Sequence, residues 1–233
     1  MAKTFADFQQ AVANRIQDAA GKLAQDAIDE CIRQALAGEY SSARPLRRIT
    51  AIAGDSATFS WLLIAAAESG VVFPGWVDGF SAILALEYPA GERVPVYLDK
   101  EDWAVVQTAT GFELRLLVNT PQTGKTLNAV FTVPHAADAT TVPDVDFFGA
   151  ADLAASLAAR RLAALYAQLG DASVGLDAVN YQSKSGSYHE LARALEREFR
   201  KAFGLERDKV QPAASVTAEW KQDLADGGER LTH

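Results

Sequence analysis

The clearest hydrophobic pattern in the chain is the row Leu191, Leu195, Phe199 and Phe203, with Ala192 and Ala202 beside it, which follows Tyr188 at helical period. The positions between them are His189, Glu190, Arg193, Glu196, Arg197, Glu198, Arg200 and Lys201, so one stripe is apolar and the other faces are charged. Glu196 and Arg200 are an i, i+4 pair in the favourable order. Arg193 and Arg197, on a neighbouring row, are like charges that need other partners. Gly204 stands at the C′ position that ends such a helix. The segment reads as packing and docking surface, with Arg193, Glu196, Arg197 and Arg200 as its candidate interaction residues.

Two other stretches share the helical period. Thr4 with Asp7 three residues on makes a capping box, and Phe5, Phe8, Val12, Ile16, Leu23, Ala27, Ile28, Ile32 and Leu36 mark an apolar face through two helices, or one disturbed near Gly21. Gly38 is expected to end that segment. After Pro143, Asp146 or Asp152 can cap a helix in which Leu153, Leu157, Leu165 and Leu169 form a row that Leu162 and Tyr166 widen. Its many alanines permit close approach of neighbours, which predicts the centre of a bundle.

Between these lies a different pattern. From about Arg44 to Pro134 the chain has short runs rich in Val, Ile, Phe, Tyr and Trp: Arg48–Ala53, Thr58–Ile64, Ala82–Tyr88, Val94–Leu98, Trp103–Thr108, Phe112–Val118 and Leu127–Val133. Turn residues such as Gly54-Asp55, Ala90-Gly91, Thr110-Gly111 and Thr123-Gly124 separate them, which predicts antiparallel strands. The Ala-rich end of the Thr58–Phe73 run, at 65–69, fits a helix as well as a strand.

Residues 170–186 read as a connection with a short turn around Val174–Val179, and 205–233 lose all periodicity. Pro212, Gly227 and Gly228 discourage a continuous helix there, but Val216, Trp220 and Leu224 are spaced i, i+4, i+8, so a partner covering that row can order it. The predicted class is therefore α+β: a helical bundle from N- and C-terminal helices, an antiparallel β-rich insert and a flexible C-terminal tail. The expected divisions are 1–40, 41–146, 147–204 and 205–233.

Composition narrows the function. With 233 residues, 49% hydrophobic and 22% charged, the chain can bury a sizeable core. A formal net charge of −8 argues against a broad phosphate-binding surface, because nucleic-acid binders concentrate Lys and Arg. Cys31 is the one cysteine, so no internal disulfide forms, and its place beside Ile28, Ile32 and Ala35 suits a small buried hydrophobe. The segment MAKTFADF lacks a signal peptide's apolar core, and the most apolar run, Phe59–Phe73, is short and broken by Glu68 and Gly70. The reading is a protein made in the cytoplasm, without a membrane span.

Chemistry-bearing residues do not converge. Gly124-Lys125-Thr126 after a strand-like segment resembles the end of a phosphate-binding loop, but Asn119 stands where the first glycine belongs and a strand, not a helix, is expected to follow. His135, His189 and His233 share no ligand spacing, and His135 reads as a loop residue. Ser185, Ser187, His189 and Asp177 offer triad residue types without a nucleophile elbow. Asp144 and Asp146 flank a helix entrance, where capping explains them. No catalytic residue, metal or cofactor is expected.

The order of two N-terminal helices, a β-rich insert with EYPAGERVPVYLDKEDW and FTVPHAADATTVPDVDF, the Ala-rich LAASLAARRLAALYAQLGD and then VNYQSKSGSYHELARALEREFRK resembles the head–tail connector, or neck adaptor, proteins of tailed bacteriophages and related prophages. The likeness spans roughly Thr4 to Gly204. It implies a homo-oligomeric ring, commonly a dodecamer, stacked beneath the portal protein, joining the capsid to a downstream neck or tail protein and letting DNA pass without sequence-specific binding. Virion localisation and the absence of catalytic residues come with it. Another virion assembly factor, such as a tail-completion or head-closure protein, and a nucleotide-binding module at Gly124-Lys125-Thr126 are the alternatives.

Overall fold

In the computed structural model, residues 3–18, 21–63, 73–118, 120–168 and 181–205 are described. The chain is α+β. The expected tail positions Val216, Trp220 and Leu224 and the turn at Val174–Val179 lie outside the described residues, as does the 65–69 stretch.

Helix α1 is Phe5–Ile16, opened by the capping box: the Asp7 amide donates to the Thr4 hydroxyl, and the Asp7 carboxylate accepts from the Thr4 amide at 2.8 Å. It ends where Gln17 turns left-handed (φ 48°). The Asp18 carboxylate then accepts the Leu23 amide at 2.8 Å, and α2 is Gln25–Ala35. The N-terminal apolar face thus belongs to two helices. Gly38 breaks the helical run, as expected: its backbone is non-helical (φ −96°, ψ −106°) inside a wider turn over Leu36–Tyr40, and a separate short helix, α3, Ser41–Ala43, follows the kink. The Ser41 and Ser42 hydroxyls donate back across it to the carbonyls of Leu36 and Gly38.

Six strands follow: β1 Leu46–Ala53, β2 Ser60–Leu63, β3 Ile83–Glu87, β4 Trp103–Thr108, β5 Gly111–Leu116 and β6 Thr126–Val133. They make two antiparallel sheets ordered β1-β6-β3 and β2-β5-β4. Both sheets bury side chains in one core, where Leu63, Leu114 and Leu116 of one sheet meet Leu86, Leu127 and Phe131 of the other, with Phe73 and Trp76. The run Val94–Leu98 is not a full strand. It touches β3 through a single bridge, Tyr97 to Glu87, flanked by the bonds Tyr88 N–H to Val96 O and Leu98 N–H to Leu86 O. Pro95 has no amide to extend the ladder.

A short 3₁₀ turn, Asp144–Asp146, leads into α4, Phe147–Gln168, and α5 is Tyr181–Ala202. Asp152 is no cap. It lies inside α4 and takes the Arg15 guanidinium at 2.5 Å, while Asp146, just before α4, accepts the Tyr40 hydroxyl at 3.1 Å. Helix α4 buries residues around most of its circumference, including Ala150, Ala151, Leu153, Ala154, Ala155, Ala158, Ala159, Leu162 and Tyr166. A helix apolar on all sides must be enclosed. Helices α1 and α2 pack on one flank of it and α5 on another.

The helical core and the sheet core are two distinct clusters. They adjoin where the chain passes into β1 and out of β6. There His135 is buried, with its amide donating to Ser41 Oγ (2.8 Å), its Nε2 bonded with the Arg44 carbonyl (2.8 Å) and its Nδ1 with Thr141 Oγ1 (3.0 Å). Its ring lies 4.8 Å from that of Tyr40.

Candidate interaction surface on α5

The buried side of α5 is made by Ala192 and Phe199, with Tyr188, Leu191, Leu195 and Phe203 packed against the same core. Tyr188 stacks on Tyr166 of α4 at 5.5 Å between ring centroids, and the Ser185 hydroxyl donates to the Ala163 carbonyl at 2.8 Å. Burial raises the Tyr188 phenol above its ordinary value, helped by Tyr166 and Asp18. At the far end, Gly149 of α4 lies so close to Phe203 that a Cβ there would stand 2.6 Å from the ring. The apolar stripe is thus consumed by the chain's own core.

The charges divide into two sets. Glu196, whose side chain is one-fifth exposed, sits between Arg160 of α4 and Arg200, the latter at 2.7 Å. Arg200 also reaches toward Glu39 at 4.0 Å. Glu196 and Arg200 therefore pair as their i, i+4 spacing suggested and fasten α5 to the rest of the chain. Arg193 and Arg197 are exposed and pair with no carboxylate among the described residues. Lys201, one turn beyond, meets only Glu198, at 3.9 Å between two exposed side chains. Exposed pairs of that kind contribute little.

Ser187, Glu190, Leu191, Arg193, Ala194, Glu196, Arg197 and Arg200 border a shallow open groove along α5. The lining mixes both charge signs with small apolar surface.

Other candidate chemistry is accounted for locally. Gly124 has φ 82° in a turn closed by the bond from Lys125 N–H to Gln122 O, Lys125 lies 3.6 Å from Glu92, and Thr126 begins β6. The segment that follows the turn is a strand and not a helix, so the turn does not open onto a helix N-terminus as a phosphate loop does. Cys31 is buried in the helical core, and burial raises its thiol pKa above the ordinary value. Among the described residues no group of three or more His, Cys, Asp or Glu side chains could hold a metal ion. His189 is exposed. Among the described residues no helix is long and apolar enough to cross a membrane. His135 was legible only as a loop residue. Its neighbour Pro134 and the Thr140-Thr141 pair gave no signal that Ser41 and Arg44, some ninety positions earlier, would meet it.

No family model and no curated protein sequence matches this chain. Solved structures that align with it include the neck of an empty gene transfer agent particle computed with C6 symmetry, at 12% identity over 74% of this chain and 87% of that one, TM-score 0.28. The neck of the native particle computed with C12 symmetry aligns at 16% identity over 77% and 89%, TM-score 0.28. The virion of the native particle aligns at 15% identity over 80% and 89%, TM-score 0.27. Likeness at this level carries no functional argument.

Proposed function

We propose that the chain is a structural, non-catalytic adaptor of a tailed-phage virion neck, a ring subunit beneath the portal protein that joins the capsid to a downstream neck or tail protein and lets DNA pass. The observation that carries the reading is the outer face of α5: Arg193 and Arg197 have no carboxylate partner among the described residues, on a helix whose apolar stripe, Glu196 and Arg200 are held by the same chain. Exposed, unpaired charge along a helix suits recognition of a second protein surface, where it sets register and partner choice. The sequence order of helices, β-rich insert and the phrases at 87–98 and 179–203 supports the same reading. An overall charge of −8 suits a conduit that does not grip DNA.

The proposed ring is homo-oligomeric and twelve-fold, and residues 205–233 are proposed as the docking tail, with Val216, Trp220 and Leu224 as its anchors. A tryptophan at the middle of such a row is a common interface hot spot. The test is to mix the purified chain with portal rings and image the product. Copies stacked on one end of the portal, lost on deleting 205–233, support the reading; a chain that neither binds the portal nor forms rings overturns it. Saturable nucleotide binding that disappears in Lys125→Ala would instead favour the Gly124-Lys125-Thr126 alternative.

A further inference from the structure

Two like-charged helix pairs of opposite sign stand on different flanks of the helical core. On α5, Arg193 and Arg197 are spaced i, i+4, and Lys201 continues the row. On α2, Asp26 and Glu30 are also spaced i, i+4. Each pair repels within its own helix. Neither is fully relieved at home. Asp26 is exposed and makes no ion pair among the described residues, and Glu30, two-thirds exposed, meets only Arg161 at 3.4 Å. Arg33, the one cation following on α2, is folded over the Phe5 ring at 5.4 Å. Glu190 precedes Arg193 by one turn without pairing with it.

Both pairs point outward. On α2 the buried residues are Ile28, Cys31, Ile32 and Ala35, and at 3.6 residues per turn Asp26 and Glu30 fall on the opposite side of the helix. On α5 the buried residues Ala192 and Phe199 leave Arg197 and Lys201 on the far side, with Arg193 on the adjoining flank. The two helices do not share a side of α4. Tyr166, Ala163 and Gly149 of α4 meet α5, whereas Phe147 meets Phe8 of α1, and Arg161 donates toward the Ala27 carbonyl of α2.

From this we infer that the α5 flank of one copy docks on the α2 flank of the next, with Arg193 and Arg197 set against Asp26 and Glu30. Both pairs repeat after four residues, about 6 Å along a helix, so the charges register whether the helices run parallel or antiparallel. A contact between two different faces of the same chain is heterologous, and repeated copies close into a ring when the rotation permits. The inference rests on the ring reading above and specifies which surfaces make the ring.

The experiment uses two full-length variants, Arg193→Glu/Arg197→Glu and Asp26→Lys/Glu30→Lys, with self-association followed by sedimentation at rising concentration and circular dichroism confirming the fold. Each variant alone presents like charges on both flanks, so it should associate about tenfold or more weakly than the unaltered chain. A one-to-one mixture restores opposite charges at every contact and should recover association, in species with even copy number. If the mixture associates no better than either variant alone, the docking of α5 on α2 is wrong. In that event the unaltered chain separates the two failures: its self-association, alone or on portal rings, leaves the ring reading standing, and its failure to assemble in either setting removes the ring reading as well. Variants that assemble alone as well as the unaltered chain also overturn the inference.

Discussion

The helical core and the sheet core bury apolar surface in different ways. The helical core brings together segments from both ends of the described chain, 5–43 and 139–203, around an α4 whose alanines let neighbours approach closely. The sheet core is formed by one continuous stretch, 46–133, and is filled by large rings: Phe73 meets Phe131 edge-on at 5.3 Å and Trp76 at 6.2 Å. Their surfaces differ as well. Most of the exposed large apolar side chains, among them Ile49, Phe59, Val94, Val96, Tyr97 and Val118, belong to the sheet half, while α2 and α5 expose charge. A helix satisfies its backbone internally and can give a whole flank to charged side chains, whereas a short strand has one face in the core and one face left over. The helical half is thus the part equipped for charge-selective contact.

The largest expected effects come from truncating each core in turn. Phe199→Ala and Phe131→Ala each remove a fully buried ring and should cost about 3–5 kcal/mol. Helix unfolding can be followed by circular dichroism, and the sheet half by the fluorescence of Trp61, Trp76 and Trp103 in a Trp220→Phe background. Phe199→Ala should shift the first signal more than the second, and Phe131→Ala the reverse. Equal shifts of both signals in both variants would mean that the two cores unfold as one unit.

A second contrast is between two crowded glycines. A Cβ on Gly54 would stand 2.2 Å from the Gln122 carbonyl oxygen and 2.7 Å from that of Pro121, both backbone atoms held by the 56–121 and 54–125 bonds. A Cβ on Gly149 would meet mainly the outer edge of the Phe203 ring, just past the end of α5, a side-chain obstacle and not a backbone one. Gly54→Ala should therefore cost about 3 kcal/mol and Gly149→Ala about 1 kcal/mol, read from denaturant melts. A reversed order would show that the α4–α5 contact is the stiffer of the two.

Much of this was readable in advance, and what was not has a physical cause. The α5 stripe and the Thr4–Asp7 box are local periodic signals, and both formed as the spacing required. Strands β4, β5 and β6 lie within a residue or two of their apolar runs because flanking turns fix them. Gly38 breaks the helical row as its place predicts; what the spacing did not show is the short helix that follows at Ser41, where the Ser41 and Ser42 hydroxyls donate back to the Leu36 and Gly38 carbonyls. Asp152 misled because a carboxylate near a helix start can serve a distant cation, here Arg15, as well as a cap. At the candidate surface, composition gave the charges on α5, but only the folded chain tells which are spent within the subunit. Glu196 and Arg200 are; Arg193 and Arg197 are not.

The junction supplies a third, smaller effect. His135→Ala removes the ring bonded to the Arg44 carbonyl and Thr141 hydroxyl and leaves both partners short of a bond at a largely buried place, an expected loss of about 2 kcal/mol. Because His135 ties the entry of β1 to the exit of β6, the loss should appear in both the dichroism and the fluorescence transitions. A shift confined to one of them would assign the histidine to that core alone.

The smallest expected effect is a difference in acid sensitivity. In the sheet half the Asp55 carboxylate accepts from the Thr58 hydroxyl at 2.6 Å, the Thr58 amide at 2.7 Å and the Ala57 amide at 2.8 Å. These bonds, the Thr58 hydroxyl's first, hold its pKa down to about 2 from the ordinary 3.8. A group whose folded pKa is depressed stabilises the fold above its unfolded pKa, and that contribution disappears as pH falls through the folded value. The window is therefore pH 4 down to 2. Asp55 is fully exposed, so the effect is small and salt-sensitive. Asp55→Asn should be less stable than the unaltered chain at pH 7, with the gap closing as pH falls through this window, in the fluorescence transition that reports the sheet half. Asp7, held below its ordinary value first by the Thr4 amide and then by the Thr4 hydroxyl, should show the same sign in the dichroism transition. A gap between Asp55→Asn and the unaltered chain that stays constant from pH 7 to pH 2 would show that the loop's hydrogen bonds do not depend on the carboxylate's charge.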